Sequence, residues 1–210
     1  MNRPRHVAHD RTTGRRPFPR LRARSRDQRG VTVVEAAFIT PVFFVLVLGM
    51  IEIGLAMNDY LSLANASRAG ARVASASGND VYADYGILRA VEREAAALNE
   101  DQIDIIVVYK PTNFGEAPTA TCQAGNAVSG VCNVYRPADF ARPEADFGCR
   151  SDRSLDRYWC PSSRDVSLSG NGSDYVGVWM KIQHDWVTKM FGNSKTLTDS
   201  SVIRLEPRTK

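Results

Sequence analysis

At 210 residues, with 43% hydrophobic and 24% charged side chains, the chain can bury a sizeable core and is neither a low-complexity nor a collagen-like polymer. Its formal net charge of +4 invites a nucleic-acid reading, but ten of the 27 basic and two of the 23 acidic residues fall within residues 1–30. That leaves 17 against 21 in the remainder, a net charge of −4. Positive charge ahead of an apolar segment holds that end of a protein in the cytoplasm, so the basic arm orients the chain, and no nucleic-acid partner is expected.

Residues 1–30 form an Arg- and Pro-rich leader without apolar periodicity. Arg15-Arg16-Pro17-Phe18-Pro19-Arg20 echoes a twin-arginine export signal, which runs almost at once into its apolar region and ends at a small-x-small cleavage site. Here Arg22, Arg24, Arg26 and Arg29 intervene, the following apolar stretch is long enough to span, and Ala74-Ser75-Ala76 lies well beyond it. The twin-arginine reading is therefore disfavoured.

Val31 to Met57 reads as a transmembrane helix, since roughly 20 apolar residues suffice to cross a bilayer. Its only ionisable residues are Glu35 and Glu52. An acid at the centre of such a helix costs on the order of 2.5 to 3.5 kcal/mol, less near the interface. Glu35 is thus either a carboxylate with a partner or one that snorkels at the cytoplasmic edge of a plain anchor. Glu52, near the outer end, is read as an interfacial residue within reach of water. Residues 58–77 continue as an amphipathic helical stalk, with Leu61, Ala64, Ala71 and Ala74 at helical spacing and Asn65, Arg68 and Arg72 on the other surface. Ser77-Gly78-Asn79-Asp80 supplies the stop.

The basic flank, Gly30, Thr32 and Glu35 resemble the processing site of a type IV prepilin. Val34-Glu35, Ala37, Pro41, Leu48-Gly49, Glu52 with Gly54, and Ala66, Arg68 and Gly70-Ala71-Arg72 are similar to the TadE-like family, over about residues 30–73. That resemblance implies a minor pilin (pseudopilin) of a tight-adherence, or Flp, pilus or a related secretion apparatus. It implies cleavage by a prepilin peptidase between Gly30 and Val31, loss of the 1–30 leader, and an amino terminus at Val31 open to methylation. It also implies as partners the membrane, other pilins or pseudopilins and the pilus assembly machinery. Glu35 would then pair with the free amine of a neighbouring Val31. The expected location is the bacterial cytoplasmic membrane, single-pass, with the leader inside and the rest outside.

Residues 78–210 are expected to form one extracytoplasmic α+β domain. Asp80 can cap a helix from about Val81 to Leu98 with a stripe of Ile87, Leu88, Val91, Ala95 and Leu98. Ile103–Tyr109 and Tyr175–Ile182 read as strands, and Ser201–Leu205 as a third. Between them, residues 112–173 are a Gly-, Pro-, Asp- and Ser-rich loop region that holds all four cysteines, at 122, 132, 149 and 160. An even number in an exported domain suggests two disulfides, with three possible connectivities, of which the local pairs Cys122 with Cys132 and Cys149 with Cys160 are favoured. Trp186, Val187, Met190 and Phe191 read as a short turn forming a lid over the sheet, with a partner-binding surface as the alternative. The whole is an α+β fold: a long transmembrane and stalk helix, then a small disulfide-stapled domain with a minimal antiparallel sheet.

No catalytic residues, metal ligands or cofactor are expected. Walker, Gly-x-Gly-x-x-Gly and His-Glu-x-x-His motifs are missing, and Asp152, Asp156 and Asp165 lack the spacing of a calcium-binding hand. His184 is the one histidine outside the leader and stands alone on a strand. The competing function class is a single-span envelope protein whose exported domain binds a ligand.

Overall fold

The computed structural model describes residues 29–169 and 172–207. The leader through residue 28, with its arginine pair, lies outside the described residues. Two compact units divide the chain, residues 1–43 and 44–210. Helix α1 (Arg29–Ser77) begins in the first and continues in the second.

Within residues 29–43, α1 presents Val31, Val33, Val34, Phe38, Ile39, Val42 and Phe43 to its surroundings, each more than half exposed. Pro41 lies inside the helix without ending it, as membrane helices tolerate. The most apolar 18-residue window of α1 has a mean hydropathy of 2.4, and none of it is buried. A helix of this kind fits a single-pass membrane protein, because water would not support so long an uncovered apolar surface.

In the second unit the same helix acquires a buried edge. Gly49, Glu52, Leu63, Ala66, Ser67, Gly70, Ala71 and Ala74 are buried, and multiples of the helical repeat separate them so that they share one side of the helix. The sequence placed Leu61 in this stripe, but Leu61 is 53% exposed and Leu63 takes its place. The small residues, more than the large ones, set the phase, because they let other elements approach the backbone. Asn65, Arg68 and Arg72 are exposed as expected. Gly78, with φ +60°, ends the helix, and its N–H returns to the Ala74 carbonyl at 3.1 Å.

Asp80 accepts the N–H of Tyr82 at 2.9 Å, a tight turn that leads into α2 (Ala83–Glu94), two residues later than expected. Ile87, Leu88 and Val91 make its apolar stripe. Four antiparallel strands follow: β1 (Ile103–Tyr109), β2 (Cys132–Tyr135), β3 (Tyr175–Asp185) and β4 (Ser194–Arg204), ordered β2-β1-β3-β4. The pleat sends Ile106, Val108, Val176, Val178, Met180 and Ile182 toward α1 and α2 in the main core. Ile105, Val107, Tyr109 and Trp179 form a second cluster with the Cys122–Cys132 bridge.

Two features depart from expectation. β2 falls inside the stretch read as loop, and β4 begins at Ser194 rather than Ser201. Both are edge strands, so neither needs the long apolar alternation by which strands are recognised. Disulfides join Cys122 to Cys132 and Cys149 to Cys160, each spanning about ten residues of the loop region. Asp156 secures the second loop by accepting the N–H groups of Gly148 and Cys149 at 2.7 and 3.0 Å.

Candidate functional site

The first unit contains the residues that the sequence marks for processing and assembly. Gly30, Val31, Val34 and Glu35 line a shallow depression at the head of α1. Among the described residues, a β-carbon on Gly30 would meet nothing within 4 Å beyond its own helix backbone, so their packing does not demand glycine there. Val31 and Glu35 stand four residues apart on one helix face, about 6 Å along the axis. Glu35 is exposed, as are its neighbours.

Glu52 has a different environment. It is 1% exposed, and its carboxylate accepts the backbone N–H groups of Val187, at 3.1 Å, and Thr188. The sequence expected water to reach this acid; the turn between β3 and β4 covers it instead. The same turn holds the residues read as a lid over the sheet. β1 pairs with β3 only as far as Ile182, whereas the β3–β4 pairing runs on to Asp185 and Ser194. No sheet is left beneath the turn to be covered, so it packs along α1. Phe191 Cζ lies 3.8 Å from the place of a β-carbon on Gly49, and Trp186 lies between His184, edge-on at 4.7 Å between centroids, and Phe191, tilted at 5.2 Å. Val187, Met190 and Phe191 are 73, 42 and 51% exposed.

His184 joins this edge of α1. Its Nδ1 lies 2.7 Å from Asp59 Oδ2, which also accepts from Gln102 Nε2 at 3.1 Å. An acid on one ring nitrogen is half of a hydrolytic relay; the other half needs a nucleophile at Nε2. Among the described residues Nε2 is buried with no partner, and the pair fastens β3 to α1.

Sequence reasoning missed the most enclosed polar cluster. Asp84, on α2, receives the guanidinium of Arg164, the hydroxyl of Tyr135 at 2.6 Å and the amide of Asn133 at 2.9 Å. Arg164 also lies over the Trp159 ring, 4.2 Å from its centroid. Burial, reinforced by the Asp84 charge, holds the Tyr135 phenol well above the usual range. The network ties the cysteine-rich region to α2 and β2. Arg164 gave no signal, since one Arg in a polar stretch reads as surface; Asp84 sits beside the apolar stripe of α2, the only hint available.

Among the described residues no group of three or more His, Cys, Asp or Glu is placed to hold a metal. Compared with known proteins, residues 30–72 match the family model described as TadE-like protein, a stretch that includes Gly30, Val31, Glu35 and Glu52. No curated protein matches the chain, and no solved structure does.

Proposed function

With a TadE-like segment at residues 30–72 as the premise, which associates the chain with tight-adherence pili, we propose that it is a minor pilin, or pseudopilin, without catalytic activity of its own. A prepilin peptidase removes residues 1–30, and the new amino terminus at Val31 begins a membrane-spanning helix. The observation that carries this reading is the head of α1: an unobstructed glycine, an exposed apolar helix, and an acid one turn beyond the cut. In the apolar interior of a pilus or bilayer, the Glu35 carboxylate needs a cationic partner. The α-amine at Val31 of a neighbouring subunit supplies one, so the charge registers one subunit against the next. Ten arginines ahead of the span support a leader in the cytoplasm and a disulfide-bonded domain outside.

Amino-terminal sequencing of the membrane fraction tests this directly. Functional protein is expected to begin at Val31, and Gly30→Leu to remain uncut. Because a β-carbon on Gly30 would meet no atom of the described residues beyond its own helix backbone within 4 Å, an uncut Gly30→Leu protein with a normal fold assigns the defect to the peptidase. Residues ahead of Val31 on the functional protein would remove the prepilin reading and favour a simple envelope anchor.

A further inference from the structure

We infer that the turn between β3 and β4 is a second membrane contact, one in which Val187, Met190 and Phe191 enter the outer edge of the lipid bilayer beside α1. The inference rests on the reading of α1 as a membrane span.

The β3–β4 hairpin runs along α1 in a fixed register. Ser75 Oγ donates to the Arg204 carbonyl, Ser67 to Asp199, Asp59 pairs with His184, and Glu52 accepts from Val187 and Thr188. Phe191 then reaches Gly49. From Ser75 to Gly49 is about 39 Å of helix at 1.5 Å per residue, so the hairpin carries its turn past the exposed Leu61, Met57 and Leu55 and onto the apolar run of α1. There, Leu46, Leu48, Met50, Ile51 and Ile53 are exposed. Within the apolar run of Val31 to Met57, the roughly 20 residues needed to cross the hydrocarbon, counted from Val31, are complete near Met50. Gly49 and Glu52 thus mark the outer boundary of the hydrocarbon, and the turn meets the bilayer at that depth.

Its composition suits the place. The turn closes through exposed Gly192 and Asn193, as a turn in water does, but ahead of them it presents Val187, Met190 and Phe191 outward with Lys189 among them. Aromatic and basic side chains at the end of a span are the usual interfacial anchors. The exposed apolar surface of the turn is also continuous with that of α1, which favours lipid over a separate protein partner. Glu52 supplies the complementary reason. A carboxylate at the edge of the bilayer is unfavourable unless solvated or bonded, and the turn solvates it with two backbone amides while offering the lipid carbon in its place.

The full chain, reconstituted into vesicles of phosphatidylethanolamine and phosphatidylglycerol, provides the test through Trp186. Trp159 and Trp179 are buried in the domain, so a comparison with Trp186→Phe isolates the signal of the turn. Bromine near the glycerol end of the acyl chains should quench Trp186 strongly, and bromine at the chain ends should do so much less. The exposed-surface variant Val187→Asp with Phe191→Asp should lose that quenching while keeping its helical and strand content. Alkaline extraction is run in parallel on every sample. A wild-type chain that resists extraction yet shows no quenching of Trp186 overturns the inference and leaves the span intact. Crosslinking of an unquenched turn to another pilin likewise overturns it, in favour of a protein contact. Release of the wild type by alkali removes the span itself, and the inference falls with it.

Discussion

The Cγ2 atom of Val91 lies 2.8 Å from where a β-carbon on Gly70 would stand, so α1 and α2 meet by fitting a side chain against bare backbone. Gly70 falls within the TadE-like match, and this contact gives it a structural task separate from any in assembly.

Gly70→Ala should therefore destabilise the domain, by about 1–3 kcal/mol for overpacking of a filled core. Val178 and Ile87 also crowd the site, at 3.3 and 3.4 Å, so Val91 has little room to retreat. Gly54→Ala serves as the control: nothing lies within 4 Å of its added carbon. Thermal unfolding of the detergent-solubilised chain should show a lowered midpoint for the first and an unchanged or slightly raised one for the second.

The two acids of the apolar segment should separate by phenotype. Glu35→Gln leaves cleavage and insertion intact but reduces crosslinking to other pilins and the number of surface pili. Glu52→Gln keeps one acceptor oxygen and loses the charge that Val187 and Thr188 address. Its expected effect is local: faster amide hydrogen exchange across residues 186–193, measured by mass spectrometry, with cleavage unchanged. Equal exchange in the variant and the wild type would deny the carboxylate its role in holding the turn.

Alkaline pH should loosen the fold through its buried phenols. Burial pushes Tyr109 up to about 12 from an ordinary 10.0, and its hydroxyl donates to the Glu116 carbonyl at 2.6 Å. Between these two values an unfolded tyrosine has released a proton that the folded one keeps, so stability falls as pH rises through that window. Tyr109→Phe should show a shallower fall in denaturation midpoint over the same range. Some decline remains, because Tyr135 is raised as well.

Removing one partner of the enclosed ion pair should have the largest effect. Both side chains of Asp84 and Arg164 are fully buried, and Asp84→Ala leaves the guanidinium without its counter-charge. A loss of about 3–5 kcal/mol is expected. Replacing both, Asp84→Leu with Arg164→Met, should recover much of it in the same denaturation measurement.

Features that depend on local pattern could be read before the fold was known. The apolar run of α1, the Ile87-Leu88-Val91 stripe and the β-branched runs of β1 and β3 each repeat at the period of their own structure. Contacts across the fold could not. The partners of Glu52 are backbone amides 135 and 136 residues away, and a backbone N–H has no residue type by which to announce itself. Of the stripe read in α1, Ala64, Ala71 and Ala74 are buried and Leu61 alone is exposed, because hydrophobicity weights a leucine above Ala66, Ser67 and Gly70, while close packing selects the small residues. β4 escaped notice along most of its length because an edge strand facing solvent has no apolar side to display.

The last strand closes on the first helix. Arg204 and Glu206 bond Ser75, Asp199 accepts from Ser67, and β4 completes the pairing of β3. In a chain made amino terminus first, α1 is thus complete long before β4 emerges to meet it. Until Arg204 arrives, the buried edge of α1 lacks its cover and β3 has an open side, the state in which strands pair with the wrong chain. Closure of the domain is thereby ordered by chain position: α1 and β3 gain their cover only once Ser194–Arg204 has been made, and a chain stalled before Ser194 keeps both uncovered.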